Sequence, residues 1–293
     1  MIRVAEEVRA AAAVVALETT LVAHGFPAEE GLSVGLEAER RVREAGAVPA
    51  TVGVLDGEIV VGLTAEELAR FDASARKVGP RDLAACAEQR AVGATTVGGT
   101  LAVCRTTGLR FMATGGIGGV HRAWQERLDV SADLAELARC RTLVVSAGVK
   151  SLLDVSATAE VLEALGVPVV GWKTDELPLF YAARGGPPVS ARVESADEIA
   201  RLALAHWEEL QRAGILVGRP PDDSLDDVEP LLADALQAAE SEGVRGPHVT
   251  PFVLSYLHEQ SSGRTLRANR ELVVANAGLA AEIALAYARL ADA

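Results

Sequence analysis

Lysine is almost missing from this chain: of 28 basic residues only Lys77, Lys150 and Lys173 are lysines, and all the others are arginines. Arginine does surface, ion-pair and phosphate work as well as lysine, but its guanidinium cannot be deprotonated and cannot act as an amine nucleophile. The three survivors are therefore enriched for sites that need a primary amine or a compact ammonium. Cysteine is also scarce. Cys86, Cys104 and Cys140 are odd in number, far apart and without a CxxC spacing, which excludes a disulfide framework and a thiolate metal knuckle. They read as small buried hydrophobes in a reducing compartment. Net positive charge is lacking as well: at -13 the chain has no generalised basic face for a nucleic-acid backbone or an anionic membrane. A small anionic substrate stays compatible if a few cations gather locally. Long uninterrupted apolar runs are missing too. Glu18 breaks the stretch from Ala10 to Ala23, and Glu282 and Arg289 break the alanine-rich C-terminal stretch, so no membrane span or targeting segment is expected and the location is read as cytoplasmic.

What is present is a chain of 293 residues, 49% hydrophobic, able to bury roughly three quarters of its unfolded surface. It is read as one domain over 1–293. Short β-branched runs alternate with alanine- and leucine-rich segments of helical period, the pattern of a mixed or parallel sheet covered by helices, hence an α/β fold. Residues Ala12 to Leu17 predict a buried strand and Ala28 to Ala45 a helix. Residues 51–61 alternate around Asp56-Gly57, a dipeptide favoured in two-residue type I′ hairpins. Thr64 with Glu67, and Ser195 with Glu198, have capping-box spacing. In the helix that follows Ser195, the residues Ile199, Leu202, His206 and Leu210 fall on one face, which makes His206 a helix-face residue rather than a ligand. The segment from Gly218 to Asp223 reads as a loop.

Chemistry-bearing residues cluster where predicted strands end. The β-prone run Arg141 to Ser146 leads into Ala147-Gly148-Val149-Lys150, and ligands of α/β sheets bind outside the carboxyl ends of strands. Lys150 thus lies in a strand-to-helix connection facing a site. A lysine is nucleophilic only as the neutral amine, so its ordinary pKa of about 10.4 has to be lowered by desolvation or a nearby cation. The alternative is a solvent-facing loop lysine. A second strand, Leu109 to Thr114, runs into Gly115-Gly116-Ile117-Gly118-Gly119, followed by His121 and Arg122. Such a stretch suits either a phosphate cradled by backbone N–H groups or close backbone packing, and it lacks the dinucleotide-binding phase. In Asp129-Val130-Ser131-Ala132-Asp133, Ser131 or Asp129 can cap a helix reaching Cys140, or a carboxylate can hold a hard divalent cation. Glu18 interrupts an apolar strand: it is either a buried acid with a raised pKa or a strand-end carboxylate in solvent. Lys77 sits in the basic cluster Arg76-Lys77-Val78-Gly79-Pro80-Arg81, suited to substrate or phosphate.

Ala16-Leu-Glu-Thr-Thr20 with His24-Gly25, Gly93-Ala-Thr-Thr96, Ala113 to Arg122, Asp129 to Leu134, Ala147 to Asp154 and Thr250-Pro-Phe252 occur in order along nearly the whole chain. Together they resemble the pseudouridine-5'-phosphate glycosidase family, which includes indigoidine-synthase-A-like proteins. The resemblance implies a three-layer α/β/α fold with a central mixed, largely parallel sheet. It also implies a homotrimer, dependence on Mn²⁺ or another divalent cation such as Mg²⁺, and reversible cleavage of pseudouridine 5'-phosphate to uracil and ribose 5-phosphate. On the matching positions Lys150 would form an imine with C1' of the ring-opened ribose, Glu18 would donate a proton and Asp129 would ligate the metal. Lys77, Val97 and Ser131-Ala132-Asp133 would bind substrate, with Thr114 and His121, which flank the glycine stretch, as further contacts. The carbon leaving group explains the need for an imine, since the paired carboxylates of ordinary glycosidases are poorly matched to a C–C bond. The chain departs from the family pattern at Gly218-Arg219-Pro220-Pro221 for Asn-Pro-Ile-Pro, at Ala275-Asn276 for Asn-Asn, and at Gly79-Pro80 within Ser-Arg-Arg-Asp. These positions leave the implied nucleophile, acid and metal ligand intact. Two other readings share the residues: a different Schiff-base lyase or aldolase acting on a sugar phosphate, and a non-catalytic nucleotide-phosphate binding module.

Overall fold

A computed structural model describes residues 2–122, 124–126, 128–150, 152–225, 227–245 and 249–291. Ser151, the residue after Lys150 in its motif, lies outside the described residues. Thirteen strands occur among them. In chain order they are β1 (Ile2–Val4), β2 (Val14–Glu18), β3 (Val48–Leu55), β4 (Glu58–Val61), β5 (Arg76–Val78), β6 (Gly93–Thr95) and β7 (Phe111–Ala113). They continue with β8 (Val120–His121), β9 (Leu143–Ser146), β10 (Leu153–Asp154), β11 (Val169–Trp172), β12 (Ala191–Val193) and β13 (Ile215–Gly218). Eleven form one sheet along the path β1-β4-β3-β2-β7-β9-β13-β11-β12, with β6 branching from β3 and β5 pairing with β6. Within it only β3 pairs antiparallel, with β4 and β6. β8 and β10 form a separate antiparallel pair.

Side chains alternate across a strand, and the central strands divide their apolar residues by that rule. Val15, Leu17, Phe111, Ala113, Leu143, Val145, Ile215 and Val217 join one core cluster, with residues of the helices Ala28–Glu44, Ala196–Leu204 and Arg264–Ala291. Ala16, Met112, Val144 and Leu216 join the other, with residues of the helices Val97–Thr107, Ala132–Leu137 and Val155–Ala164. Burial on both faces is why these strands read as continuous hydrophobic runs, and it makes the architecture three-layered. The helix Arg264–Ala291 is long and apolar enough to cross a membrane by composition, but 61% of its most apolar window is buried against the rest of the chain, as in a core helix.

Local signals account for most boundaries. β3 and β4 form the expected hairpin, and Asp56 and Gly57 both have positive φ (53° and 89°), as a type I′ turn requires. The capping box of Thr64 and Glu67 closes in both directions. The box expected at Ser195 half-closes: Ser195 Oγ accepts from the Glu198 N–H, whereas the Glu198 carboxylate accepts from the Glu194 N–H instead. The apolar face read through His206 and Leu210 does not continue past Leu204. A π-helical turn at Ala205–Glu209 shifts the phase, so Trp207 is buried while Leu210 is 65% exposed. All three cysteines are buried and unpaired. Burial pushes the Cys140 thiol up to about 11.

Candidate active site

The side-chain parity that builds the core also aims the site. Glu18 has the parity of Ala16 and Thr114 that of Met112, so both project at the carboxyl ends of β2 and β7 towards the layer of helices Val97–Thr107 and Ala132–Leu137. β2 and β7 are parallel neighbours with Leu17 opposite Ala113, which sets Glu18 beside Thr114. The Thr114 hydroxyl donates to Glu18 Oε1 at 2.5 Å. Two residues of that helix layer begin their helices here: Val97 follows the N-cap Thr96, whose hydroxyl accepts from the Gly99 N–H, and Ala132 follows the N-cap Ser131. Lys150 enters from the loop after β9, its N–H donating to Ile117 O at 3.2 Å and its carbonyl accepting from Leu153 N–H at 3.0 Å. Lys77 enters from β5, in register with Ala94 of β6.

Nine of the ten residues nominated from the sequence line one cavity of about 710 Å³: Glu18, Lys77, Val97, His121, Asp129, Ser131, Ala132, Asp133 and Lys150. The tenth, Thr114, is 3% exposed and lies outside the lining, with its hydroxyl donating to the Glu18 carboxyl group. Two further features shape the cavity wall. Both Asp133 oxygens are engaged by backbone: Oδ1 accepts from Gly98 N–H and Oδ2 from Gly118 N–H, each at 2.8 Å. Asp133 thus clasps the start of the helix Val97–Thr107 to the glycine stretch. A Cβ at Gly118 would lie 2.8 Å from Asp133 Oδ2 and displace the clasp, and one at Gly98 would crowd Oδ1 at 3.0 Å. The glycine stretch itself is close packing. Gly116 lies against Phe180 and Gly119 against Thr158, and the Ile117 and Val120 N–H groups donate to Gly148 O and Thr158 Oγ1. These groups are turned to protein acceptors, not to an anion.

The buried charges perturb one another. Burial raises the Glu18 carboxyl above its ordinary value, while the Lys150 charge and the Thr114 hydrogen bond pull it down and Asp133 adds a smaller push upward. Burial lowers the Lys77 ammonium, helped by the Lys150 charge and opposed by Glu18 and Asp133. A buried carboxyl group whose pKa is raised, set beside lysines in a cleft, is suited to act as a general acid.

Among the described residues no group of three or more His, Cys, Asp or Glu is gathered for a metal. Asp129 stands half-buried on the cavity wall, and its backbone carbonyl is taken by His121 N–H. One carboxylate on a solvent-reached wall fits a hard, oxygen-preferring divalent cation that keeps most of its waters, and does not fit a soft or fully protein-ligated metal. The sequence reading missed Arg139 and Glu136, which also line the cavity. Glu136 is buried between Arg139 (3.4 Å) and Arg105 (3.7 Å). Nothing in the sequence distinguishes Arg139 from the other arginines, because its place depends on how the short helix Ala132–Leu137 packs.

An α/β protein with a lysine and a raised carboxylic acid converging at the carboxyl edge of its sheet has the equipment of an enzyme acting on a small polar substrate. The chain belongs to the indigoidine synthase A like protein family, whose family model matches residues 3–286. It is 43% identical to a pseudouridine-5'-phosphate glycosidase of Myxococcus xanthus over 98% of this chain and 99% of that one. To the same-named protein of Streptomyces griseus it is 47% identical over 96% and 91%. Among solved structures, the indigoidine synthase A (IdgA)-like protein of Thermotoga maritima superposes with a TM-score of 0.87 at 37% identity, covering 97% of this chain and 95% of that one. The prealnumycin C-glycosynthase AlnA, solved in complex with ribulose 5-phosphate, gives 0.89 at 36% identity, covering 100% and 98%.

Proposed function

We propose that this chain reversibly cleaves the C–C glycosidic bond of pseudouridine 5'-phosphate, giving uracil and ribose 5-phosphate. The observation that carries the reading is the single cavity that brings Glu18, Lys77 and Lys150 together in a chain whose relatives bear that activity in their names along almost their entire length. In this scheme the Lys150 amine bonds to C1' and the ring oxygen leaves with a proton, opening the ribose. The nitrogen lone pair then forms the C=N bond as the C1'–C5 bond breaks. The bonding pair returns to C5 of uracil, which takes a proton from Glu18. Water hydrolyses the imine, releasing ribose 5-phosphate and restoring the amine. Lys77 supplies positive charge to the substrate at the same wall. Asp129 would hold the divalent cation, which when bound supplies charge neutralisation to the sugar phosphate. We read the assembly as a homotrimer on the family resemblance, to be measured by light scattering.

The test is incubation with pseudouridine 5'-phosphate, with uracil followed by chromatography, and in parallel with ribose 5-phosphate plus borohydride, with the adduct mapped by mass spectrometry. Uracil release and an adduct on Lys150 are expected. Turnover without any adduct at Lys150 would remove the imine, and an adduct without uracil release would favour a different Schiff-base lyase.

A further inference from the structure

The geometry points to Thr114 as a positioning residue that fixes which oxygen of Glu18 carries the transferable proton. This inference rests on the reading of Glu18 as the acid. Thr114 Oγ1 lies 2.5 Å from Glu18 Oε1, and both side chains are buried, at 3% and 7% exposure. A hydroxyl has one proton, and the only acceptor that Thr114 Oγ1 meets among the described residues is Oε1. While it donates there, Oε1 has to remain the acceptor oxygen. The acid proton is then confined to Oε2, on a residue that lines the cavity.

The backbone that carries this hydroxyl is held from behind. Asn276, fully buried on the helix Arg264–Ala291, donates from Nδ2 to the Thr114 carbonyl at 2.8 Å. The strand register contributes as well, since Leu17 is opposite Ala113 and the next positions are therefore side by side. The Thr114 backbone is thereby fixed by the sheet on one side and by a core helix on the other, and the buried hydroxyl is set against Glu18. Such support of a reacting group by a rigid neighbour is what keeps catalytic geometry within a fraction of an ångström.

The charged groups that act on Glu18 are Lys150 from the loop after β9, Lys77 from β5 and Asp133 from the helix Ala132–Leu137, with His121 of β8 on the same cavity. Thr114 supplies a neutral donor among them. Removing that donor withdraws support from the carboxylate form and so favours the protonated one.

The test is Thr114→Val, which keeps the shape and removes the donor, beside Thr114→Ser, which restores it. For Thr114→Val, kcat for uracil release falls about tenfold or more, while KM stays within about twofold. The Lys150 adduct with ribose 5-phosphate still forms, and the alkaline limb of the kcat–pH profile moves to higher pH. Thr114→Ser returns both kcat and the limb towards wild type. A raised KM with unchanged kcat would make Thr114 a direct substrate contact and overturn the inference. Loss of the adduct together with kcat, or failure of serine to rescue, would make it a general support of the cavity and overturn it too. Glu18→Gln measured alongside separates the two levels, because full activity there removes Glu18 as the acid whatever Thr114 does.

Discussion

The sheet carries a cavity at each end of β2 and β7, of nearly the same volume, about 710 Å³ at the carboxyl edge and 720 Å³ at the amino edge. The same two strands lead to both: Glu18, backed by Thr114 just past β7, at one end, and Val14 and Phe111 at the other. Among the described residues, the lining at the amino edge has neither carboxylate nor lysine nor histidine, and its charged groups are Arg9 and Arg110. Arg110 is already committed, paired with Glu208 at 2.8 Å and stacked over Trp207 at 5.1 Å. Volume therefore does not distinguish the two. What does is the supply of charge that neighbouring loops deliver: strands point their carboxyl ends at the loops that carry Lys150, Asp129 and Ser131, and their amino ends at helix termini whose polar groups are spent on folding.

The comparison is broken most severely at Lys150. Lys150→Arg keeps a cation at the carboxyl edge and removes the amine, so uracil release is expected to fall to the uncatalysed background and the borohydride adduct to vanish. The melting temperature should hold, since Lys150 is only half-buried. A variant that retains measurable turnover with substrate saturating would mean that charge, not nucleophilicity, is what the cavity needs from this position.

Glu18→Gln comes next, with kcat expected to fall about 10²- to 10⁴-fold, the range for a lost general acid. Its stability should move the opposite way, and the sign follows from linkage. Burial raises the folded-state pKa of Glu18, so the native state binds more protons than the unfolded state between the two values, and its contribution is lost as pH rises through the raised pKa. Glutamine has no such loss. The excess stability of Glu18→Gln should thus grow from acid pH towards alkaline pH in thermal melts, and equal melting temperatures for the two proteins across that range would contradict a strained, buried acid.

How much of this was legible beforehand follows the distance over which the information acts. The three layers could be read because β2, β7, β9 and β13 are apolar at successive positions, and the hairpin because Asp56-Gly57 is a local turn signal. Lys150 could be placed because it lies in the short segment that follows a strand. By contrast, the bond from Thr114 to Glu18 spans 96 residues and exists only because β7 comes to lie beside β2. No local pattern announces that neighbour. The glycine stretch was ambiguous for the same reason: its N–H groups face partners such as Asp133 and Thr158 that arrive from later in the chain. The π-helical turn after Leu204 was missed because one inserted residue per turn leaves no signature in a 3.6-residue pattern.

Asp129→Asn should weaken the carboxyl edge more mildly. Withdrawing one ligand charge of about 1.4 kcal/mol raises the half-activating Mn²⁺ concentration about tenfold, read from metal titrations of chelator-treated protein. Activity of wild type that survives chelation in full would take Asp129 out of that role.

The smallest effect on catalysis is expected at the amino edge, and it is the sharpest check on the comparison. Phe111 is 4% exposed and packs edge-on against Trp207 and Tyr287, with ring centroids 5.9 Å and 5.4 Å away. Phe111→Leu loses those ring contacts and some volume, at a cost of about 1.5 kcal/mol. Thermal melts should register that loss. Yet Phe111 opens the strand whose other end leads into Thr114, so any slackening of β7 that travelled along it would reach the Thr114 hydroxyl and appear in kcat. The register is pinned on both sides of that path, with Leu17 opposite Ala113 in β2 and Val145 opposite Ala113 in β9. The strand should therefore absorb the change at its start, leaving kcat and its pH limb at the wild-type values below the transition temperature. A pH limb displaced as in Thr114→Val would show instead that the two ends of β7 act as one unit.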